Sequence, residues 1–588
     1  MRLSLEQSLH QAKAHLRAGR LPEATTIYLE ILAKFPKNRE ADLGLKNLQN
    51  KKVVGFSDMQ EPPQNQVQSV INLFTQGLFK NALVEVAQIQ KIFPNSVLLY
   101  NICGAIYTEL EQFDLAIENY KKALLIKPDH ADAFCNIAIA EQKKGNLDSA
   151  IKGYKKAIEI NPVHATAYYN MGVTHKAKGD LETAINYYVE AIKIQPSYAE
   201  AYFNMGNALE ETGEVDKAIE CYKQALRIKP DYAKSYFNIG NALRKKGEAD
   251  AAIDSYKKAL EIKPDYAEAY SYIGNELQKK GDLGAAIDSY KKALKIKPDY
   301  AAAFYNMGTV LQKKGEADKA IKCYEKALKI KPDYAAAFYN MGLILREKGE
   351  ADKAIKCYEK ALKIKPDYAE AKHLLASMTG VTTDSAPIDY VENLFDDYAS
   401  KFEHTLVQQL EYQTPRVLAE IVLKNHSGNT LGSVLDLGCG TGLAGVELKK
   451  FGCNLEGIDL SSSMLAKAKE KNIYTKLVHG DIVKYLSKAV LDFDYFISTD
   501  VFVYVGELSN VFRLIKSRNR RSGKLVFSTE HTERDGFFLE KSGRYSHSKQ
   551  YIEGLCDEFD YQLTYFSKAN LRKENNIFLT GGLYSLDF

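Results

Sequence analysis

Hydrophobic and small residues recur along most of this chain at the spacing of amphipathic helices. In the stretch from 199 to 232 they form two helical runs, and Gly213 separates the runs. Such units are predicted to be helical hairpins, in which the glycine supplies a left-handed turn and a proline ends the second helix. The prolines follow one another at intervals of 34 residues: Pro94, Pro128, Pro162, Pro196, Pro230, Pro264, Pro298, Pro332 and Pro366.

This period and pattern resemble the tetratricopeptide repeat. The resemblance covers residues 66 to 366 and an earlier unit that ends at Pro36, with Tyr or Phe where the repeat usually has tryptophan. Gly206 and Ala218 are expected to let the two helices of one unit approach closely. The resemblance implies an all-α solenoid, a superhelix of helical hairpins whose concave wall is formed by the first helix of each unit.

Composition marks the limits of the array. The stretch around Pro62 and Pro63 is predicted to be a flexible break. A short helix from Ala369 to Met378 is predicted to cap the solenoid, and the Thr-, Ser-, Gly- and Pro-containing stretch after it is predicted to be a linker. The expected segments are an N-terminal repeat unit at 1–49, a linker at 50–65, the array with its capping helix at 66–378, a linker at 379–387 and a second domain at 388–588.

The sixth position of the repeat carries an amide, with Tyr272 as the exception. A carboxamide offers a donor and an acceptor, so a ladder of amides along the groove can bind the backbone of an extended peptide. This pattern resembles the asparagine ladder in the repeats of O-linked N-acetylglucosamine transferases, although asparagine is equally consistent with a consensus residue of the fold. The candidate groove residues are Asn136, Asn170, Asn204, Asn238, Asn306 and Asn340.

Basic residues near the ends of the first helices are expected to lie close to the same wall. They favour an acidic ligand segment, and solvated helix ends explain them nearly as well. These residues are Lys143, Lys176, Arg244, Lys245, Lys279, Lys313 and Arg346.

From Ser433 onward, short β-rich runs alternate with helical ones. This alternation predicts an α/β domain with a mostly parallel, doubly wound, Rossmann-like sheet that is covered on both faces. Ligands of such sheets bind at the carboxyl ends of the strands. The predicted strands are Ser433–Leu437, Leu455–Asp459, Lys476–His479, Tyr495–Thr499 and Lys524–Thr529, with a closing hairpin from Tyr561–Ser567 and Ile577–Leu586.

The first of these strands leads into Gly438, Gly440 and Gly442, which let the backbone lie close against a ligand. Asp459 ends the second strand and can accept hydrogen bonds from ribose hydroxyls, while Asp481 follows the third and can accept from an adenine amino group. Three acids at three strand ends, with Asp436 as the third, suit a cationic sulfonium nucleoside better than a pyrophosphate, which prefers bare amides. The run from Gly440 to Gly445 also fits the dinucleotide fingerprint, so a nicotinamide-type cofactor remains the alternative.

These segments together resemble the first three signature segments of class I S-adenosylmethionine-dependent methyltransferases, and the chain is similar to bacterial proteins that join such a domain to repeats. The resemblance implies S-adenosyl-L-methionine as the cofactor. Gly438, Gly440 and Gly442 would hold its amino-acid part, Asp459 its ribose, and Asp481 with Ile482 its adenine. The expected cofactor-binding residues are Asp436, Gly438, Gly440, Gly442, Asp459, Asp481, Ile482 and Thr499.

Two further segments resemble parts of the same family. The run from Leu394 to Phe402 resembles its opening segment, whose helices lie over the cofactor, and the run from Gly543 to Ser548 resembles a later one. Tyr398 and Phe402 can equally be a packing stripe on an amphipathic helix. If the nucleophile is protonated it needs a base, and the candidates are His547 and Asp500, with His531 and Tyr545 beside them.

Composition excludes several classes of function. A net charge of +4 over 588 residues is too small for a nucleic-acid-coating or membrane-surface protein. No stretch approaches the ~20 apolar residues that a membrane span needs, and no cluster of His, Cys, Asp and Glu predicts a metal site. Cysteine spacing indicates a reducing compartment, and the N-terminus lacks a signal core. We expect a cytoplasmic location.

Three functions are consistent with this sequence. The first is a protein methyltransferase whose repeat groove captures a protein or peptide and raises its local concentration at the active site. The second is a small-molecule methyltransferase that the solenoid tethers to an assembly. The third is a non-catalytic binding scaffold. The fourth strand ends Ser498-Thr499-Asp500 rather than in the motif of methyltransferases that act on amide or base amino groups, which argues against those substrates.

Overall fold

A computed structural model describes residues 5–17, 21–35, 38–54, 61–399, 402–404, 412–424, 426, 428, 430–574 and 577–588. The chain forms two compact units, Met1–Lys280 and Gly281–Phe588.

In its described residues the first unit consists of helices, most of them paired as hairpins. Its helices are α1 (Leu5–Arg17), α2 (Leu21–Lys34), α3 (Arg39–Val54), α4 (Gln64–Thr75), α5 (Phe79–Ile92), α6 (Val97–Glu109), α7 (Phe113–Ile126), α8 (Ala131–Lys143), α9 (Leu147–Ile160), α10 (Ala165–Ala177), α11 (Leu181–Ile194), α12 (Ala199–Glu211), α13 (Val215–Ile228), α14 (Ala233–Lys245), α15 (Ala249–Ile262) and α16 (Ala267–Lys279).

The second unit begins with helices of the same kind and continues into the α/β domain. Its helices are α17 (Leu283–Ile296), α18 (Ala301–Lys313), α19 (Ala317–Ile330), α20 (Ala335–Glu347), α21 (Ala351–Ile364), α22 (Ala369–Thr379), α23 (Ile388–Tyr398), α24 (Thr414–Lys424), α25 (Leu443–Lys449), α26 (Ser462–Glu470), α27 (Ile482–Lys488), α28 (Ser509–Arg518) and α29 (Lys549–Phe559).

The hairpins depend on two glycine positions. Gly213 has φ +86°, the left-handed turn that the sequence predicts. Gly206 lies against the buried ring of Tyr222, and a Cβ there would stand 2.6 Å from Tyr222 Cε1. The small residue therefore makes room for a tyrosine of the second helix. The same pairing recurs as Gly104 with Tyr120, Gly172 with Tyr188, Gly240 with Tyr256, Gly308 with Tyr324, and Gly342 with Tyr358.

Adding one methyl group at this position should destabilise the fold. In Gly308→Ala the new Cβ would lie 2.7 Å from Tyr324 Cε1, and we expect a loss of about 1–3 kcal/mol in urea unfolding because the packed ring cannot move away. Gly284→Ala, in α17, is the matched control: its Cβ meets only Asp282, at 3.8 Å, and the higher helix propensity of alanine should add up to ~1 kcal/mol. Equal midpoints for the two variants would contradict this packing argument.

The α/β domain contains one mixed sheet. Its parallel part has the order β3-β2-β1-β4-β5-β7, with β6 antiparallel to β7, and the antiparallel hairpin β8–β9 joins β5 through β9. The strands are β1 (Gly432–Leu437), β2 (Cys453–Asp459), β3 (Lys476–His479), β4 (Tyr495–Ser498), β5 (Lys524–His531), β6 (Phe537–Leu539), β7 (Tyr545–His547), β8 (Gln562–Glu574) and β9 (Ile577–Asp587).

Both faces of this sheet are buried, as expected for parallel strands between helices. Along β1, Val434 packs into one hydrophobic cluster, and Leu435 and Leu437 pack into the other. The five predicted parallel strands and the closing hairpin are confirmed. The short strands β6 and β7, which pair with each other beside the end of β5, were not predicted.

The predicted linker at 50–65 is partly helical. Helix α3 runs through Val54 and α4 begins at Gln64. Polar residues such as Asn50 do not interrupt α3, because asparagine is only a moderately poor helix former. The remainder of this prediction, at 55–60, falls outside the described residues, as does Pro36.

The segment predicted to be a linker, 379–387, is hydrogen-bonded into the α/β domain. Ser385 forms an antiparallel bridge with Val505, and Asp384 O accepts from the N–H groups of Gly506 and Glu507 at 2.9 and 2.8 Å. Ala386 is buried. We call residues 380–387 the connecting segment. The preceding helix is the predicted cap, and its His373 Nε2 lies 3.0 Å from Gly543 O.

Candidate functional site

The carboxyl ends of β1, β2 and β4 open into a cavity of about 850 Å³ within the second unit. This is where a doubly wound sheet is expected to bind its ligand. Of the predicted site residues, the structure brings Gly438, Gly440, Asp459, Asp481, Ile482, Thr499 and Asp500 into its lining. Asp436, Gly442 and His547 lie outside that lining.

The glycine loop turns with its backbone facing the cavity. Gly440 has φ +53°, and a Cβ built on it would meet nothing within 4 Å, so the backbone is accessible to a ligand. Gly438 instead lies against Val501, whose Cγ2 would stand 2.3 Å from an added Cβ. Four backbone N–H groups of the loop donate within the protein: those of Gly438 and Cys439 to Ile458 O, that of Gly440 to Asp459 Oδ2, and that of Gly442 to Cys439 O.

Asp459 ends β2 and organises the loop around it. Its Oδ2 accepts from Gly440 N and its Oδ1 from Ser461 N, both at 2.8 Å. Burial raises the pKa of this carboxyl above its usual range, although the two backbone hydrogen bonds oppose the shift. The carboxylate is therefore held in one orientation against the cavity.

Asp481 precedes α27, and its side chain caps that helix by accepting from Lys484 N at 2.7 Å. The next residue, Ile482, places an apolar side chain in the same lining. Thr499, just after β4, has a buried Oγ1 without a hydrogen-bond partner among the described residues. A ligand that reached this hydroxyl would satisfy it.

Asp436 lies beneath the loop instead of in the cavity. Tyr474 Oη donates to its Oδ2 at 2.7 Å, and its Oδ1 is buried without a partner in the described part of the chain. Burial raises the pKa of Asp436 to about 7, and the neighbouring Asp459 adds to this shift. Gly442 packs against the same Tyr474 ring. Asp436 and Gly442 therefore contact Tyr474 and help to hold the glycine loop in place.

The raised pKa of Asp436 predicts a pH dependence of stability. Between about pH 4 and 7 the carboxyl is protonated in the folded protein and ionised in the unfolded chain, so folding takes up a proton and stability falls as pH rises through this window. The asparagine in Asp436→Asn cannot ionise. The free energy of unfolding of this variant, relative to that of the native chain, should therefore rise by up to roughly 3–4 kcal/mol between pH 4.5 and 7.5. Urea unfolding at the two pH values measures this, and a pH-independent difference would contradict it.

Helix α23 forms another wall of the cavity. Leu394, Phe395 and Tyr398 of this helix line it, as does Phe402 after the helix end. Asp396, on this helix, accepts from Ser461 Oγ and Ser463 N at the start of α26. The helix is thereby held beside Ser461, whose backbone N–H donates to Asp459. Residues 400 and 401 fall outside the described chain.

A buried ionic network adjoins the cavity beyond β4. Arg572 donates from Nη1 to Asp500 Oδ2 at 3.0 Å and from Nη2 to Glu530 Oε1 at 2.9 Å. Arg544 Nε donates to the same Glu530 oxygen at 2.6 Å. All four side chains are at least 83% removed from solvent. We call Asp500, Glu530, Arg544 and Arg572 the four-charge network.

Asp500 itself adopts the left-handed conformation, with φ +55°. Its Oδ1 accepts from Ser528 Oγ at 2.6 Å, and its backbone N–H donates back to that oxygen at 2.8 Å. Burial and the charge of Asp500 raise the pKa of Tyr412, which also lines the cavity. Asp500 lines the cavity as predicted, but both of its oxygens are engaged, which favours a positioning role over that of a base.

His547 does not fit the predicted role of a base. It is fully buried outside the lining, and its Nε2 lies 3.0 Å from Val505 O and 2.9 Å from Gly506 O, where it donates to backbone carbonyls. Burial lowers its pKa to about 4. Tyr545 is also fully buried, with its hydroxyl bonded to Thr383, and His531 is likewise absent from the described lining. Tyr545 and His547 therefore bond to loop residues instead of facing the cavity.

The six asparagines of the predicted ladder lie half-buried on the first helices of their hairpins. Some of their amides bond to the neighbouring repeat: Asn204 Nδ2 donates to Tyr169 Oη, Asn238 Nδ2 to Asn207 Oδ1, and Asn340 Nδ2 to Tyr305 Oη. The nearby cations are largely engaged too, Lys143 with Glu109, Lys176 with Glu211, Lys245 with Glu210, Lys279 with Glu276, and Arg244 over the Tyr272 ring. The attraction for an acidic ligand is correspondingly reduced.

Sequence reasoning missed Arg544 and Arg572 as cavity residues. Arg544 belongs to the run from Gly543 to Ser548 that resembles the methyltransferase family, so a signal was present. Arg572 lies in β8, 72 residues after its partner Asp500, and no local pattern marks it.

Comparison with protein families matches two parts of this chain. A family described as a methyltransferase domain matches residues 434–523. The tetratricopeptide repeat matches residues 104–145, 140–179 and 174–213, and the C-terminal domain of cilia and flagella-associated protein 70 matches residues 196–387. The described residues contain no helix with the length and hydrophobicity that crossing a membrane requires.

Individual relatives match the repeats. The uncharacterized protein ycf37 of Guillardia theta is 43% identical over 49 residues, which are 8% of this chain and 28% of that protein. The crystal structure of MamA is 30% identical with a TM-score of 0.27, and covers 28% of this chain and 97% of its own. That of YrrB, described as a TPR protein with an unusual peptide-binding site, is 27% identical with a TM-score of 0.28, and covers 32% and 96%. This chain therefore joins a solenoid of tetratricopeptide repeats to a methyltransferase domain with a Rossmann-like fold.

Proposed function

We propose that this protein is an S-adenosyl-L-methionine-dependent methyltransferase whose solenoid recruits a protein partner or substrate. One observation carries the first part: Gly440, Asp459, Asp481 and Ile482 line one cavity at the carboxyl ends of the strands. This grouping supports a nucleoside cofactor whose ribose lies at Asp459 and whose adenine lies at Asp481 and Ile482.

The glycine loop favours a cationic cofactor over a dinucleotide. A pyrophosphate needs free backbone N–H groups at the loop and helix start. Here the N–H groups of Gly438 and Gly440 already donate within the protein, the second of them to Asp459. Carboxylates at Asp459 and Asp481 would repel a pyrophosphate and attract the charge of a sulfonium cofactor.

When bound, such a cofactor supplies an electrophilic methyl group. The chain's own contribution would be alignment, which can be worth roughly 7–11 kcal/mol for a two-reactant displacement. Asp459 would orient the ribose, and α23 would exclude water, since Leu394, Phe395 and Tyr398 cover the cavity with mostly apolar surface.

The recruiting role of the solenoid rests on its repeats and on the half-buried amides along the first helices. Asn136, Asn170 and Asn306 belong to this face together with Asn204, Asn238 and Asn340. Tethering of a small-molecule methyltransferase to an assembly is the alternative. We place the protein in the cytoplasm, a location supported by eight cysteines that are all unpaired and buried.

Two measurements on the full-length chain test this proposal. Calorimetry should show heat on addition of S-adenosylmethionine and none with a nicotinamide dinucleotide, and the opposite result would overturn the cofactor. Incubation of cell lysate with methyl-labelled cofactor then separates the two roles of the solenoid. Label in a protein band supports recruitment of a protein substrate, whereas label in an extractable small product supports the tethered enzyme.

A further inference from the structure

Part of the cavity lining consists of residues outside the predicted cofactor-binding set. In this part Val391 and Phe395 of α23 pack in one cluster with Tyr504, and Arg544 and Arg572 both donate to Glu530 Oε1. Apolar walls with a few converging polar groups are typical of small-ligand sites. This part lies beside Asp500, at the carboxyl end of β4.

Tyr504 contributes a hydrogen-bond donor to this part. Burial raises its pKa to about 12, although the guanidinium groups of Arg544 and Arg572 act to lower it. The phenol therefore stays protonated at neutral pH. Phe395 packs edge-on against the same ring, with the centroids 5.4 Å apart.

Two of the carboxylates near this part are engaged by other groups of the protein. No histidine or cysteine occurs among the described residues of the lining. Asp500 is bonded at both oxygens, and Glu507 Oε1 accepts from Ser509 and from Tyr551 Oη. Asp384 is exposed. Because transfer to a protonated nucleophile needs a base, these placements favour an acceptor that enters without a proton to lose.

We propose that the methyl acceptor is a carboxylate on an apolar body, bound by Arg544, Arg572 and the Tyr504 hydroxyl, and that the product is a methyl ester. Guanidinium groups match the geometry of a carboxylate, and carboxylic acids are ionised at neutral pH. The formal charges of the four-charge network sum to zero. Asp500 and Glu530 therefore hold the two guanidinium groups in place, and an incoming carboxylate meets a site without net charge.

The step balances without a proton. A carboxylate oxygen attacks the methyl carbon of the cofactor, the carbon–oxygen bond forms as the carbon–sulfur bond breaks, and the electron pair stays on sulfur as a neutral thioether. Since this inference rests on the proposed cofactor, its test must distinguish a wrong acceptor from a wrong cofactor.

The full-length chain is incubated with lysate and methyl-labelled S-adenosylmethionine, and the labelled product is treated with mild alkali. We expect the label to be released as volatile methanol, whether the acid is a small molecule or a protein carboxyl, and extraction distinguishes these sources. Label that is transferred but survives alkali would overturn the carboxylate while leaving the methyltransferase standing. Absence of both label and binding heat would overturn the proposed function itself.

Variants locate the acceptor site. Tyr504→Phe and Arg544→Gln should each reduce the rate of alkali-labile labelling at least tenfold, mainly through a higher KM for the acceptor, with cofactor affinity unchanged. Arg534→Gln is the control, because Arg534 is exposed outside the lining, pairs with Glu540 and stacks on Phe538. Tyr504→Phe keeps the test decisive if Arg544→Gln fails to fold, and an unchanged KM in Tyr504→Phe would overturn the assignment.

Discussion

Replacement of Asp459 by alanine is expected to weaken S-adenosylmethionine binding at least about 100-fold. The carboxylate holds the glycine loop through Gly440 N and the start of α26 through Ser461 N, and in the proposed complex it also accepts from the ribose. Hydrogen bonds to a charged group contribute about 1.5–3 kcal/mol each. Loss of two such bonds from the ribose hydroxyls would therefore lower the affinity for the cofactor by roughly 10²- to 10⁴-fold. Calorimetric titration of the folded variant measures the change.

Asp492→Ala is the matched control for this substitution. Asp492 is an exposed aspartate in the same domain that pairs with Arg521 outside the cavity. Its replacement should leave cofactor affinity unchanged. If Asp459→Ala bound the cofactor as tightly as Asp492→Ala, the ribose would not lie at Asp459 and the proposed arrangement of the cofactor would be wrong.

The repeats were predictable because each hairpin is determined by residues close to it in sequence. The left-handed turn at Gly213 and the proline at the end of each unit act within one hairpin. The pairing of Gly206 with Tyr222 spans only two helices of one unit. The behaviour of the amides was harder to predict, because whether Asn204 faces a ligand or bonds to Tyr169 depends on the stacking of one repeat on the next.

The grouping of Asp459, Asp481 and Thr499 in one cavity was predictable for a related reason. Each lies at or just after the carboxyl end of a strand, and parallel strands bring these ends to one edge. Arg572 was not predicted because it lies in the antiparallel strand β8, far from its partner Asp500 in sequence. The connecting segment escaped for the same kind of reason, since a turn-rich composition does not reveal that Asp384 and Ser385 pair with a distant loop.

A series of contacts through the connecting segment links the last repeat to the cavity. His373 of α22 contacts Gly543, which immediately precedes Arg544. Thr383 then bonds to Tyr545 Oη, and Ser385 lines the cavity itself. A flexible tether between solenoid and enzyme would let the two move independently. These contacts instead hold the end of the solenoid against the acceptor side of the site, so its position is set by packing.

Removal of Arg572 should cost more stability than any other single substitution considered for this domain. Arg572→Met keeps the apolar stem but leaves Asp500 and Glu530 buried beside each other, with Arg544 as the remaining cation. Breaking a buried ion pair by removal of one partner typically costs about 3–5 kcal/mol, because the remaining charge loses its counterion in a poorly solvated place. Urea unfolding followed by circular dichroism measures this loss.

Arg521 provides the comparison that isolates burial as the cause. It also bonds to two acids, Asp492 and Asp494, but its side chain is 45% exposed, so Arg521→Met should cost no more than about 1 kcal/mol. Neutralising a stranded acid should recover part of the larger loss, making Arg572→Met with Asp500→Asn more stable than Arg572→Met alone. Equal costs for the two arginines, or no recovery in the double variant, would mean that Arg572 stabilises the domain by packing rather than by charge.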